Sequence, residues 1–307
     1  MTHIDPLGGE DIMLANLAKY VDLDKYNLNI INSKCRKELI DLDKNNLLWQ
    51  HVPANQQVVA GIRDKYFNRM VDAYVYVSHW QHEKFRYIHQ IPLDNAYVIK
   101  NAIETIEFVE KPKDKIKLIY TSMPYRGLSV LLDAFERLNR NDIELDIYSS
   151  TTIYGKEYVE YEGDRYEEMF ERARNMKNVN YIGYATHEDV IKALQSAHIF
   201  AYPCIFEETA CLSMIEAGAA GCNLVVTNIG GLPETGSVFA KLVPIQASEE
   251  LIIETYASAL NETIDSYWTE ENQAFIKKQS DFYNEHYSWE TRKHEWVALF
   301  DKLFKEE

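Results

Sequence analysis

No run of about 18 apolar residues occurs in this 307-residue sequence, so it writes no membrane-spanning helix. The opening MTHIDPLGGED lacks the basic and apolar regions of a signal peptide, and a cytoplasmic protein is expected. Four cysteines, Cys35, Cys204, Cys211 and Cys222, form no C-x-x-C pair, and no histidine spacing completes a zinc site with them. They read as buried thiols of a reducing compartment. Basic residues are few: 32 Lys and Arg stand against 48 Asp and Glu, a net charge of -16. That balance disfavours nucleic acid as a partner, because binding a phosphate backbone needs a basic face that releases counterions. Internal repeats, low-complexity tracts and long linkers are also missing. What remains is 46% hydrophobic residues over 307 positions, enough for two α/β domains with real cores.

Strand and helix patterns alternate along the chain. Residues 1–5 read as the stub of a first strand, and Pro6-Leu7-Gly8-Gly9-Glu10 as a glycine turn into a helix over 11–20. N–H groups at such a helix start suit an anion, although an ordinary two-glycine loop reads equally well. Residues 28–32, 46–51, 73–77 and 97–100 read as strands, residues 58–70 as one helix, and Ser78-His79-Trp80-Gln81 as a capping box. His79 and His82 share a helix face but lack a third ligand, so no metal is expected there. The irregular, charged residues 105–115 mark a domain boundary, giving an N-terminal domain over 1–109. The pattern restarts with strands at 116–120, 143–148 and 179–182 and helices at 128–138, 165–176 and 186–196. Alternating βαβα units make residues 110–285 a parallel sheet covered by helices, and residues 286–307 a closing helix.

The most informative stretch is residues 200–236, FAYPCIFEETACLSMIEAGAAGCNLVVTNIGGLPETG. It reads as strand, loop, helix, strand, loop, with both loops at the end of the sheet where ligands sit. Glu208 and Glu216 are eight residues apart, an interval that Glu136 with Glu144 and Glu160 with Glu168 repeat in this acidic chain. Only the first pair straddles a helix start, which offsets its carboxylates by ~12 Å along the axis. The N–H groups of Ala210 to Ser213 could hold a diphosphate between them, with a carboxylate accepting from hydroxyls at each end. A solvated helix start, with Glu207 and Glu208 favouring the dipole, fits the pattern as well.

The longer stretch NVNYIGYATHEDVIKALQSAHIFAYPCIFEETACLSMIEAGAAGCNLVVTNIGGLPETG resembles the donor-binding half of retaining glycosyltransferases of the GT-B fold, the family 4 type. Arg126-Gly127-Leu128 resembles the family's Lys-Gly helix start, VYVSHWQHEKF the end of its acceptor domain, and Tyr287-Ser288-Trp289 its closing helix. The resemblance implies an α/β GT-B architecture: two Rossmann-like domains facing a cleft, with the C-terminal helix crossing back to the first domain. It also implies that Glu216 binds the donor ribose, Glu208 the transferred sugar, and the N–H groups of the Thr209-Ala210-Cys211-Leu212 segment the diphosphate. Arg126 would neutralise that diphosphate, and Gly183 and Tyr184 would flank the base. Gly8 and Gly9 would close the cleft, Glu234 would belong to the donor loop, and His51 would face the sugar. The implied reaction moves a sugar from a nucleotide diphosphate sugar to a glycan, lipid-linked or other hydroxyl acceptor, with retention and with neither metal nor cofactor. Where the family carries a lysine, and an arginine a few residues before it, this chain has Arg126 preceded by Thr121 and Ser122, so one cation is missing.

Two other classes remain open at this level. A nucleotide-sugar hydrolase or epimerase would use the same cleft with added acid/base carboxylates, for which Asp5 and Glu10 are the candidates, and a degenerate nucleotide-sugar binding protein would keep the cleft without turnover. Arg63, Lys65 and Arg69, with Lys34, Arg36 and Lys37, offer a local basic face for an anionic acceptor or a membrane surface, or simply a solvated one.

Overall fold

The computed structural model describes residues 9–91, 94–151 and 163–304. The strand expected over residues 1–5, Gly8 and most of the polar segment 149–164 lie outside the described residues. Two parallel sheets organise the chain. The first has the order β1 (Leu28–Asn32), β2 (Asn45–Gln50), β3 (Ala73–Tyr76) and β4 (Ala96–Val98). Helix α1 (Gly9–Tyr20) precedes it, and α2 (Lys65–Arg69) and α3 (His79–His89) lie in its crossovers. Strand alternation sends Leu47 and Trp49 to one face, against Met13 and Leu17 of α1, and Leu48 to the other, against Phe67 and Phe85 of α2 and α3.

The second sheet has the order β10-β9-β8-β5-β6-β7. From β5 (Ile116–Thr121) the chain passes through α4 (Leu128–Leu138), β6 (Ile143–Tyr148), α5 (Glu167–Asn175) and β7 (Val179–Tyr181). It then returns through α6 (His187–Ser196) to β8 (Ile199–Tyr202) on the other side of β5, and continues through α7 (Leu212–Ala219) to β9 (Asn223–Thr227). The strand order therefore reverses between β5 and β8, and the loops that follow them diverge and open a crevice at the carboxyl ends. Burial explains the runs: every residue of β8 and β9 is buried, as befits strands covered on both faces. Helix α4 buries Leu128, Val130, Leu131, Leu132, Ala134 and Phe135, and each such large apolar side chain contributes about 1.5–3 kcal/mol.

A short helix α8 (Leu232–Gly236) leads to β10 (Ala240–Val243), and helices α9 (Glu249–Ser266), α10 (Glu270–His286) and α11 (Trp289–Phe304) complete the chain. Helix α11 leaves the second sheet and packs on the first. Its Trp296 meets Trp49 edge-on at 4.7 Å, in one cluster with Trp289, Phe300 and Leu17. The two crossing segments pair with each other: Ile103 N–H donates to Tyr287 O at 2.8 Å and Trp289 N–H to Ile103 O at 3.0 Å.

Three local readings change. The helix expected over 58–70 is a 3-10 segment, Gln57–Arg63, followed by α2, because the Asp64 side chain accepts from the N–H groups of Tyr66 and Phe67 and starts a new helix. In the capping box before α3, Ser78 accepts from Gln81 N–H, but the Gln81 side chain accepts from Val77 N–H and not from Ser78. Strand β10, half-exposed along most of its length, carries too weak a pattern to be read beforehand. The charged stretch 105–115 has no regular element, yet its Lys111 is buried. The Lys111 ammonium donates to Leu194 O at 3.1 Å, Gln195 O at 2.8 Å and Ala220 O at 2.7 Å, neutralising the carboxyl ends of α6 and α7 together.

Candidate functional site

Arg126 lies on the loop after β5 and Glu208 on the loop after β8, the two loops that diverge at the switch point. Gly127 brings them together. Its φ of +112° is open to glycine, and a Cβ there would stand 2.1 Å from Pro203 O. Arg126 Nη1 then lies 2.5 Å from Glu208 Oε1, and the Tyr202 hydroxyl donates to the same oxygen. Tyr202 also meets the Ser122 hydroxyl at 3.2 Å. Glu208 is 5% exposed, so two donors on one oxygen are what keeps a buried carboxylate tolerable.

The Gly230-Gly231 turn supports this loop from behind. Gly231 N–H donates to Glu208 O at 2.6 Å, and a Cβ at Gly230 or Gly231 would fall 2.4 Å from Glu208 O or 2.2 Å from Thr209 O. Beyond it, Cys211 precedes α7 and is buried, while Ala210 and Leu212 pack towards the Trp49 cluster of the first sheet. The first N–H groups of α7 have no intrahelical carbonyl to donate to. Ser213 fixes that turn by donating from its hydroxyl to Thr121 O at 3.1 Å. Burial pushes the Cys204 thiol up to about 12 and the Cys211 thiol well above its ordinary value, so both stay protonated and neither is a nucleophile.

Glu216, 5% exposed, sits within α7, and its carboxylate accepts from His187 Nε2 at 2.6 Å. Gly183, with φ +76°, ends β7, and Tyr184 beside it is 47% exposed. These residues share one loop with His187, the first residue of α6. The E-x7-E pair thus has a cationic partner at one end and a histidine at the other.

The remaining expected residues tie the second sheet to the first. Thr209 donates from its hydroxyl to His51 O at 2.8 Å, and its own carbonyl accepts from the Ser78 hydroxyl at 2.6 Å. His51 itself stacks obliquely on Trp49 at 4.6 Å; its Nε2 is buried without a partner among the described residues, and burial lowers its pKa to about 3. The ring is neutral at physiological pH. Glu234 engages the first sheet: its carboxylate accepts from the N–H groups of His79 at 3.1 Å and Trp80 at 3.0 Å, at the start of α3, with Lys100 at 3.4 Å. Lys84 reaches Glu207 at 3.2 Å. Gly9 opens α1 with open space around it; Glu10 next to it accepts from the Ser33 hydroxyl, which in turn accepts from His51 N–H. Of the two carboxylates named for a hydrolase or epimerase, Glu10 is therefore engaged with Ser33, and Asp5 lies outside the described residues. No group of three or more His, Cys, Asp or Glu side chains among the described residues could hold a metal ion.

Sequence reading alone missed His187, Tyr202, Ser122, Lys84 and Lys100. His187 lay in view within Thr186-His187-Glu188-Asp189 but reads there only as part of a helix cap, and nothing in the local spelling announces that Lys100 and Glu234 meet.

The chain resembles known proteins throughout. It is 30% identical over 145 residues to a component of the human phosphatidylinositol N-acetylglucosaminyltransferase, and 26% identical over 174 residues to the Arabidopsis thaliana protein of the same name. These alignments cover 45% and 53% of this chain but only 28% and 36% of those proteins. Among solved structures, a glycosyltransferase from Rickettsia africae superposes with a TM-score of 0.72 at 15% identity, over 98% of this chain and 83% of that one. Anabaena Alr3699/HepE, solved with UDP and glucose, superposes with a TM-score of 0.71 at 13% identity, over 97% and 84%. These structures share the GT-B fold. The sequence model of the glycosyl transferases group 1 matches residues 102–289, which contain the switch point, Arg126, Glu208, Glu216 and Glu234. The chain belongs to that family of glycosyltransferases.

Proposed function

We propose that this protein is a retaining glycosyltransferase of the family 4 type that moves a sugar from a nucleotide diphosphate sugar to a hydroxyl acceptor. The observation that carries the reading is the pair Glu208 and Glu216 on either side of the α7 start, at the point where the second sheet reverses its strand order. Glu216 accepts from the ribose hydroxyls and Glu208 from the transferred sugar. The first N–H groups of α7 and the positive end of its dipole hold the diphosphate, and the charge of Arg126 acts on it from beside Glu208. Gly183 and Tyr184 flank the base, and His51, neutral, faces the sugar from the first sheet.

Residues 1–109 and 110–285 act as two domains around the donor, with 286–307 returning to the first. Catalysis rests on positioning and on stabilising the departing diphosphate, whose oxygen takes the acceptor's proton. No metal or cofactor is required in this scheme, so chelation with EDTA leaves the rate unchanged. UDP-sugars come first as donors, since Anabaena Alr3699/HepE is solved with UDP-glucose and the curated relatives are named for an N-acetylglucosaminyltransferase. The acceptor is a glycan, lipid-linked or other hydroxyl, met in the cytoplasm or at the membrane surface.

A thermal-shift screen of UDP-, GDP-, ADP- and TDP-sugars selects the donor, because a ligand that binds only the native state raises the melting temperature. Nucleotide release with and without acceptors, and the anomeric configuration of the product by NMR, then separate transfer from hydrolysis, epimerisation and mere binding. A screen with no stabilising donor and no nucleotide release removes the reading.

A further inference from the structure

His187 is placed at the first position of α6 by the Thr186 cap, whose hydroxyl accepts from Asp189 N–H. Its Nε2 meets Glu216 Oε1 at 2.6 Å. The Glu216 side chain is 7% exposed and the His187 side chain 48%, so the pair is a buried acid whose partner opens to solvent. The residues beside Glu216 on α7, Met214, Ile215, Ala217, Gly218 and Ala219, are all buried and uncharged. None of those residues offers the carboxylate a compensating charge. Among the described residues its ion-pair partner is His187, the side-chain type whose charge changes near neutral pH.

The other ions near His187 have their own partners. On α6, Glu188 pairs with Lys192 and Asp189 accepts from the Thr186 hydroxyl. On β5, which packs against α6, Lys117 lies between Glu144 and Asp146. Lys111 sits at the far, carboxyl end of α6. The hydrogen bond to Glu216 raises the imidazole pKa above its ordinary value, against the lowering effect of burial.

We propose that His187 is a positioning residue of the donor site, orienting Glu216 for the nucleotide ribose and setting the net charge at that end, so that donor binding tightens as pH falls through the titration of this pair. This rests on the donor reading of α7. With the imidazolium the pair is neutral. With the imidazole it keeps the negative charge of Glu216 and opposes the approaching diphosphate.

Isothermal titration with UDP-glucose and UDP-N-acetylglucosamine, whose diphosphate diesters do not titrate in this range, tests it at pH 6.5 and 8.5. The wild-type Kd should rise on the order of fivefold from the lower to the higher pH, the scale of one screened charge beside the ligand. His187→Gln, which keeps a donor but cannot titrate, should bind equally at both, near the wild-type value at pH 8.5. Binding that is pH-independent in the wild type, or still pH-dependent in His187→Gln, overturns the proposal and leaves the donor reading intact. If neither binds, the same two-pH titration is run with the donor selected from the GDP-, ADP- and TDP-sugars, with the same expected result; no binding of any screened donor at either pH overturns both. A ligand-free arm stands apart from the donor: the His187 imidazole, assigned in NMR spectra by its loss in His187→Gln, should titrate above 6.5 and fall when Glu216 becomes Gln. A midpoint unmoved by Glu216→Gln overturns the pairing itself.

Discussion

Arg126 Nη1 lies 2.5 Å from Glu208 Oε1, across the point where the second sheet reverses its strand order. One loop supplies the cation and the other the carboxylate, so the ion pair joins the loops that follow β5 and β8. Arg126→Met leaves Glu208 buried with the Tyr202 hydroxyl as its remaining described donor. We expect a loss of about 2 kcal/mol, a drop of several degrees in melting temperature, and transfer activity reduced by about 100-fold or more. The double variant Arg126→Met with Glu208→Gln should recover much of the stability and none of the activity. Equal stability of the two variants would show that the pair is not coupled.

Glu234 works between the sheets. Its carboxylate accepts from His79 and Trp80 N–H at the start of α3, while the same turn, through Gly230 and Gly231, supports the Glu208 loop. Replacing Glu234 by Ala removes the anion from a helix N-terminus, a loss of about 1 kcal/mol, and should speed hydrogen exchange at His79 and Trp80 about fivefold. Exchange unchanged at those amides would remove Glu234 as the latch between the sheets.

His198 makes stability depend on pH. Its Nδ1 accepts from Lys117 N–H at 2.9 Å and its Nε2 donates to Pro112 O at 2.8 Å, and burial lowers its pKa to about 4. The unfolded chain, with an ordinary histidine near 6.5, binds more protons between those two values. The stabilisation is therefore full above pH 6.5 and is lost as pH falls towards 4, by up to ~3 kcal/mol. Buried His51 acts in the same direction. Melting temperature measured from pH 7.5 to 5 should fall, and fall less steeply in His198→Asn, which is less stable at pH 7.5. An identical slope in the variant would contradict the assignment.

Short β-rich segments made the second sheet readable: IKLIY and IELDIY became β5 and β6 within a residue of their expected ends. The split at Asp64 was hidden because the pattern of apolar residues continues across a side-chain cap that interrupts the backbone ladder. At the site, the helix start between Glu208 and Glu216 singled them out, a local feature, where their spacing, repeated elsewhere in the chain, did not. Their partners were not local. Arg126 stands 82 positions from Glu208, His187 is 29 from Glu216, and Trp80 is 154 from Glu234. Such contacts depend on strand order and on how the two sheets face each other, which periodicity does not encode.

The most direct measurement is the affinity of the donor selected by the thermal-shift screen for the wild type and for Glu216→Ala, by isothermal titration at one pH. Loss of charged hydrogen bonds to the ribose hydroxyls should weaken binding about 10- to 100-fold, with circular dichroism and a cooperative melt showing the fold intact. Equal affinity in a folded Glu216→Ala variant would contradict the account, because the donor would then lie away from α7.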